Sequence, residues 1–209
     1  MIDVHNSDMV VARLGQPSLD AIGQAVAETR DDLREYRHGL PRLAARHTQR
    51  GLLNWIHDQL FANLVNRFEG AAVPGLHVRD AEPTREIYVG PPSEYFRLRF
   101  KKHDAHDLIA SYPTLGFRDF ASQDVQTTVQ EIRLTGGFRW DAVTETIGAA
   151  VISARDGSEN VLWALELSEA VGGDVVDVAP GPNDGGPILP TLEFRGDLTR
   201  RNDRRENES

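Results

Sequence analysis

Two adjacent lysines, Lys101 and Lys102, are candidates for chemistry because they are the only lysines in a chain of 209 residues. The other 21 Lys/Arg residues are all arginine. A lysine ammonium group is a compact charge whose pKa is lowered by burial, so it suits contact with a phosphate or a proton transfer. The pair therefore predicts a functional site, with Lys101 as a candidate catalytic residue.

The lysines end an alternating stretch, YFRLRFKK, which is typical of a β-strand with one apolar face. One face would carry Tyr95, Arg97, Arg99 and Lys101, and the other would carry Phe96, Leu98, Phe100 and Lys102. Neighbours on one face are about 6.6 Å apart, which is close to the phosphate spacing of an extended nucleic-acid strand. We therefore predict a nucleic-acid or phosphate site, with Tyr95 stacking on a base; its residues are Tyr95, Arg97, Arg99, Lys101 and Lys102. The alternative is a half-buried strand whose cations pair across strands with Glu86 or nearby acids.

A helical stretch earlier in the chain supplies two further candidates for acid–base catalysis, His57 and Asp58. Asp58 shares a polar helix face with Asn54, because the two are four residues apart, and His57 lies at the border of the apolar stripe. An imidazole and a carboxylate near the basic strand could move protons. The predicted catalytic residues are therefore His57, Asp58 and Lys101.

The segment after the lysines, HDAHD, contains a possible metal-ligand set. Imidazole and carboxylate groups suit a divalent cation such as Mg²⁺ or Mn²⁺; the candidate ligands are His103, Asp104, His106 and Asp107. The alternative is a solvated loop, for which His and Asp are equally typical. The leading expectation is a site without a cofactor, and the metal site is kept as an alternative.

The order of periodicities predicts an α+β fold with helices first and strands second. From Ser18, a plausible N-cap, to Gly70 the apolar residues recur at helical spacing, with a break at Gly39 and Pro41. Gly51 suggests that the stretch after Pro41 could be two helices. From residue 75 the period changes towards two, and six segments read as strands: GLHVRDAE, REIYVG, YFRLRF, EIRLTGGFRW, TIGAAVISA and NVLWALEL. A further helix is expected around Phe117–Val125.

The predicted architecture is a set of N-terminal helices packed on an antiparallel or mixed sheet. Residues 1–17 are expected to form an extended or frayed N-terminal extension, and residues 18–169 a single domain. Residues 170–209 are rich in Gly, Pro and charge and are expected to form a flexible tail. Within this tail ILPTLEF is apolar enough to dock on a groove.

Composition excludes several classes of function. The absence of cysteine excludes disulfides, zinc–thiolate sites and cysteine nucleophiles. The net charge of −9 opposes a general affinity for nucleic acid, so any such contact requires a local basic patch. No apolar run approaches the length of a membrane span and no secretory signal is seen, so a cytoplasmic location is expected.

Several short motifs resemble an uncharacterised bacterial family encoded beside HTH/zinc-peptidase (ImmA/IrrE-type) regulators. The motifs are GLPRLAARH (Gly39–His47), NWIHD (Asn54–Asp58), RFKK (Arg99–Lys102), Tyr112-Pro113-Thr114 and VLWALEL (Val161–Leu167). That gene arrangement is similar to toxin–antitoxin and phage-defence pairs. The resemblance implies that this chain is the toxin or effector and that the regulator is its antitoxin partner.

Three functions remain open on the sequence. The first is a toxin-like effector that acts on a nucleic acid or nucleotide phosphate through the basic strand. The second is a non-enzymatic protein-interaction module. The third is a metal-dependent nuclease or phosphohydrolase, because His57-Asp58 also looks like the His-Asp step of metal phosphohydrolases.

Overall fold

A computed structural model describes residues 2–81, 84–110, 115–122, 130–157 and 159–169 of the chain. Within these residues the helices are α1 (Ser7–Leu14), α2 (Gln16–Gly39), α3 (Pro41–Ala44), α4 (Gln49–Gly70) and α5 (Leu115–Ala121). The strands are β1 (His77–Ala81), β2 (Thr84–Val89), β3 (Glu94–His103), β4 (Gln130–Asp141), β5 (Thr146–Arg155) and β6 (Val161–Leu167). The predicted tail, residues 170–209, lies outside the described residues.

The six strands form one mixed sheet in the order β1-β2-β3-β4-β5-β6. Every neighbouring pair is antiparallel except β3 and β4, which are parallel. Two adjacent parallel strands require a crossover connection, and α5 lies in the segment that links them. The prediction of an α+β fold with the helices N-terminal is confirmed.

The core lies between one face of the sheet and the long helices α2 and α4. Ile22 and Val26 of α2 and Ile56 and Leu64 of α4 are fully buried, as the helical spacing of apolar residues predicts. The sheet contributes alternate residues of its strands; on β3 these are Phe96, Leu98 and Phe100. We call this side of the sheet the helix face and the opposite side the α5 face.

The N-terminal region differs from the expected extended segment. Residues 7–14 form α1, whose Val10 and Leu14 are buried in the same core. The Asn6 side chain accepts a hydrogen bond from the Met9 amide and caps this helix. Ser18 is not a cap, since it lies inside α2 and its hydroxyl donates to the carbonyl of Leu14.

The second helical stretch is interrupted, but not at Gly51. The break falls between α3, which ends at Ala44, and α4, which begins at Gln49. The Thr48 side chain accepts from the amide of Gly51 and caps α4, so Gly51 lies in the first turn of that helix. Glycine costs least helical stability near an end, which explains why it does not break α4.

Two consecutive glycines allow β4 to pass close to β3. A Cβ atom on Gly136 would lie 2.8 Å from the Phe100 ring. Gly137 has φ +146°, and a Cβ there would lie 1.9 Å from the Lys101 carbonyl oxygen. Both positions therefore require glycine, and they set β4 beside the end of β3 that carries the two lysines.

Candidate functional site

The cations of β3 lie on the α5 face of the sheet, opposite the buried phenylalanines. The alternation is the one the sequence predicts, with Arg97, Arg99 and Lys101 on one side of the strand. These cations are, however, not open to solvent in the way that the predicted nucleic-acid or phosphate site requires. The side chains of Arg97 and Arg99 are only 19% and 12% exposed.

Glu86 of β2 neutralises both arginines. Its carboxylate is fully buried, and its Oε1 atom accepts from Arg97 Nη2 and from Arg99 Nε, each at 2.6 Å. Tyr88 donates to the other carboxylate oxygen at 2.6 Å. Burial alone would raise the pKa of Glu86, but the hydrogen bonds from Arg97, Tyr88 and Arg99 outweigh it and lower that pKa. The carboxylate is therefore held ionised within an arginine cluster.

Glu131 of β4 is the second carboxylate in this cluster. It accepts from Tyr95 Oη at 2.8 Å, from Arg97 Nη1 at 3.1 Å and from Arg133 Nε at 2.6 Å. Tyr95, the residue predicted to stack on a base, is thus tied to Glu131 through its hydroxyl. The structure therefore has the alternative arrangement, in which the cations of this strand pair across strands with Glu86 and nearby acids.

Helix α5 covers the arginines from above. The Cζ atom of Arg99 lies 4.4 Å from the centroid of the Phe120 ring, and that of Arg97 lies 5.5 Å from it. Arg99 also donates to the carbonyl oxygen of Gly116 at 2.7 Å. A nucleic acid could reach these two guanidinium groups only by displacing both the carboxylates and α5.

Lys101 and Lys102 differ from the arginines of the sheet in having no such partner. In the described part of the chain neither ammonium group has a carboxylate or a hydrogen-bond acceptor. The Lys101 ammonium lies 5.6 Å from the centroid of the Phe117 ring, in a weak cation–π contact. Burial, followed by the charge of Arg99, lowers the pKa of Lys101, and burial lowers the pKa of Lys102.

All seven arginines of the strands, in contrast, have a carboxylate or carbonyl oxygen as a partner: Arg79, Arg85, Arg97, Arg99, Arg133, Arg139 and Arg155. The unusual residue type at positions 101 and 102 thus coincides with an unusual environment. Among the described residues no acid neutralises the positive charge at the end of β3.

His57 and Asp58 of α4 have different surroundings. Asp58 accepts from Arg85 Nη1 at 2.5 Å, and Arg85 also donates to Asp80 at 2.9 Å. His57 is half-buried, and its pKa is lowered by burial first and then by the charges of Lys101 and Arg85. His57 and Lys101 therefore share one electrostatic neighbourhood, whereas Asp58 is engaged in an ion pair with Arg85.

The predicted metal ligands do not converge. His103 is fully buried, and within the described residues neither ring nitrogen has a hydrogen bond of good geometry. Asp104 accepts from the backbone amides of His106 and Leu108 and so stabilises its own turn. Asp107 binds Arg139 through both carboxylate oxygens, at 2.7 and 3.0 Å.

Across the residues that the structure describes, no three His, Cys, Asp or Glu side chains are placed to hold a metal ion. A Mg²⁺ or Mn²⁺ site built on His103, Asp104, His106 and Asp107 is therefore not supported. The pattern was misleading because the segment is a turn, and its side chains are used to close that turn and to anchor it to β4.

Comparison with protein-family models, with curated proteins and with solved structures returns no significant match. The fold and the site therefore define the class of this protein only as an α+β protein with a six-stranded mixed sheet and a buried arginine–glutamate cluster. Among the described residues no helix is long and apolar enough to cross a membrane.

Proposed function

We propose that this chain is the toxin-like effector of a bacterial toxin–antitoxin or phage-defence module and that it acts on a nucleic acid or nucleotide phosphate. The site would be the end of β3, where Lys101 and Lys102, on opposite faces of the strand, would each contact a phosphate group and His57 would act in acid–base chemistry. The antitoxin partner would be the HTH/zinc-peptidase-type regulator that the family resemblance implies.

One observation carries this proposal: among the described residues the two lysines have no carboxylate partner, whereas each arginine of the strands has a carboxylate or a carbonyl oxygen as a partner. A partly buried ammonium group has lost part of its hydration, and no carboxylate compensates for that loss. Binding of a phosphate would therefore stabilise the charged lysine. The lowered pKa of His57 keeps its imidazole neutral near neutral pH, which is the form that a general base requires.

The proposal differs from the basic strand expected on the sequence. Tyr95, Arg97 and Arg99 hold the sheet together through Glu86 and Glu131 in the structure, so we assign them no direct contact with the ligand. Their predicted role in phosphate binding remains a prediction.

The test is growth arrest on induced expression of the full chain in a bacterial host. The double variant Lys101→Ala/Lys102→Ala should relieve the arrest. Its matched control is Arg42→Ala/Arg46→Ala, which removes two exposed cations from the α3 region and lowers the net charge equally. Arrest that persists in the lysine variant, or that the control relieves equally, would contradict the site.

Binding should be measured in parallel, because a toxin can be silent in an unsuitable host. The wild-type chain should bind a single-stranded oligonucleotide with an affinity that falls steeply between about 50 and about 200 mM salt. The lysine variant should lose at least about tenfold in affinity, which corresponds to about 1.4 kcal/mol.

A non-enzymatic protein-interaction module is a second candidate, and a groove between α2 and α4 favours it. The groove has a volume of about 790 Å³ and carries four carboxylates, those of Asp20, Glu28, Asp31 and Asp32. Glu28 is paired with Arg67, so the surface keeps a negative excess that would suit a basic partner segment.

Co-purification with the HTH/zinc-peptidase-type regulator tests the groove, and the growth-arrest assay separates the two candidates, because a pure interaction module should cause no arrest that Lys101→Ala/Lys102→Ala relieves. An interaction module should bind the regulator in a way that Asp20→Lys/Asp31→Lys abolishes and that Lys101→Ala/Lys102→Ala leaves intact. Binding that is lost when residues 171–209 are deleted would assign the interaction to the tail instead of the groove.

A further inference from the structure

The sheet has two edge strands, β1 and β6, and their sequences differ in a way that matters for association. β1 has the short sequence HVRDA, its side chains are mostly exposed, and Arg79 and Asp80 carry charge. Natural proteins use short, charged edge strands to prevent pairing with another chain. The β1 edge is therefore protected by its own sequence.

β6 lacks this protection. Its sequence, VLWALEL, has one charged residue, Glu166, and that carboxylate accepts from Arg139 Nη1 at 2.6 Å. Among the described residues β6 pairs with β5 alone, and no backbone hydrogen bond joins its outer edge to another helix or strand. An apolar edge strand with unpaired backbone groups is a surface to which a further strand can add.

The side chains of β6 determine which strand would fit beside it. Trp163, Leu165 and Leu167 are buried in the main core and mark the helix face of the sheet. Ala164 and Glu166 alternate with them and point to the α5 face. An added strand extends both faces, so it must place apolar side chains beside Trp163 and Leu165 and a small side chain beside Ala164.

β6 itself meets this requirement when it runs antiparallel to a second copy. With a two-fold axis at Ala164, Trp163 of one chain would lie opposite Leu165 of the other, and the two Ala164 residues would face each other. Opposite side chains of an antiparallel pair share one face, so the two helix faces would coincide. The irregular start of β6, where its register to β5 shifts, lies outside these central pairs. Glu166 would lie opposite Leu162, so like charges would not meet.

We propose that β6 is a dimerisation surface and that its partner is β6 of a second copy of this chain. The two strands pair antiparallel and join the two sheets into one continuous sheet. Main-chain hydrogen bonds hold such an interface together, and the side-chain pairs on its two faces select the partner. The inference goes beyond the proposed function, because it involves neither the lysines of β3 nor the groove between α2 and α4.

The first test is the mass of the full-length protein in solution, measured by sedimentation over a range of concentrations. The expected species has twice the mass of the chain, and its fraction should rise with concentration. A protein that stays monomeric up to its solubility limit, or that forms assemblies other than dimers, would overturn the proposal.

The absence of cysteine from the chain allows a second test that is specific for the register. Ala164→Cys would place two thiols opposite each other at the two-fold axis, where the Cα atoms of an antiparallel pair are about 5 Å apart. That separation suits a disulfide bond. Mild oxidation with diamide should therefore convert this variant into a covalent dimer, and a dimer that does not cross-link at this position would contradict the proposed pairing.

Two matched variants separate this pairing from random collision. Leu162→Cys lies on the same strand, but the two copies of residue 162 would be about 13 Å apart along the strands, which is too far for a disulfide bond. Val143→Cys lies in the turn between β4 and β5, where Val143 is 93% exposed. Both should cross-link at least about tenfold more slowly than Ala164→Cys. Equal rates in all three variants would overturn the proposal.

Amide hydrogen exchange of the full chain distinguishes a second copy from any other occupant of this edge. Alternate amides of an edge strand point away from its one neighbour, so in β6 they face the proposed partner. Their protection should increase with protein concentration if the partner is a second copy. Protection that is independent of concentration would assign the edge to a segment of the same chain, and it would overturn the proposal.

Discussion

The buried carboxylate of Glu86 lies between the guanidinium groups of Arg97 and Arg99, and one of its oxygen atoms is 2.6 Å from a nitrogen of each. Because of this arrangement, the two arginines of β3 stabilise the sheet. The arrangement also isolates Lys101 at the end of the same strand, because no carboxylate of the described residues continues the pairing to that position.

Replacing Glu86 with glutamine should destabilise the protein strongly. The change leaves two largely buried arginines without their shared counter-ion, and removing one partner of a buried ion pair costs about 3 kcal/mol or more. Urea unfolding at neutral pH should show this loss of free energy. The control is Glu94→Gln, which breaks the pair with the exposed Arg13 and should cost less than about 1 kcal/mol. Similar losses for the two variants would mean that the cluster is not a stabilising element.

The sequence predicts the fold more completely than the site, because the alternation of apolar and polar residues shows which face of a strand is buried but not which residues lie beside the other face. The pattern YFRLRFKK identifies an apolar face on its own, because successive side chains of a strand point to opposite sides. The pattern does not identify which acids of other strands lie beside Arg97 and Arg99. Glu86 is a visible candidate because it lies within the predicted strand REIYVG, which comes just before YFRLRF. Glu131 is distant in sequence and reaches Arg97 only because β3 and β4 are parallel.

The position of α5 over the arginines of β3 could not be predicted from the sequence either. A helix near Phe117 is predicted, and the structure has α5 at Leu115–Ala121. Nothing in its composition indicates that Phe117 and Phe120 face cations instead of an apolar core. The location of α5 follows from the crossover between two parallel strands, and pairing direction is a property of the whole sheet.

A buried histidine should make the stability of the protein depend on pH. Burial, reinforced by the charge of Arg155, lowers the pKa of His103 to about 3 from the ordinary value of 6.5. Between these two pH values His103 is therefore protonated in the unfolded chain and neutral in the folded chain. Its contribution to stability is complete above pH 6.5 and is lost as the pH falls towards 3, by up to about 1.4 kcal/mol per pH unit.

The variant His103→Leu isolates this contribution. Urea unfolding of both proteins at about pH 7.5 and about pH 5 should show a smaller loss of free energy in the variant than in the wild type. The leucine also removes two buried ring nitrogens that have no hydrogen bond of good geometry within the described residues, so the variant should fold at neutral pH. An equal loss in both proteins between the two pH values would mean that His103 is not buried in its neutral form.

The close approach of β4 to β3 predicts that Gly137 cannot be replaced. Gly137→Ala places a methyl group against the Lys101 carbonyl and forces a side chain into a left-handed backbone conformation, so we expect a loss of about 3 kcal/mol. Gly116→Ala is the control, because a Cβ atom there would meet no atom of the other described parts of the chain within 4 Å. Thermal unfolding should separate the two variants by at least several degrees. A stable Gly137→Ala variant would contradict the register of the parallel pair beside the lysines.

The proximity of His57 and Lys101 can be tested without knowledge of any substrate. The charge of Lys101 lowers the pKa of His57, so removing it with Lys101→Met should raise that pKa. The pKa can be followed by NMR titration of the imidazole resonances, assigned with the variant His57→Gln.

Lys102→Met is the matched control, because Lys102 is not among the groups that shift His57. It removes the same charge from the next residue of the strand, and it should change the His57 pKa less than Lys101→Met does. If the His57 pKa is unchanged in Lys101→Met, or rises equally in both variants, the imidazole of His57 and the amine of Lys101 do not interact. His57 would then have no place in the site, and an acid–base role would have to come from another residue near the end of β3.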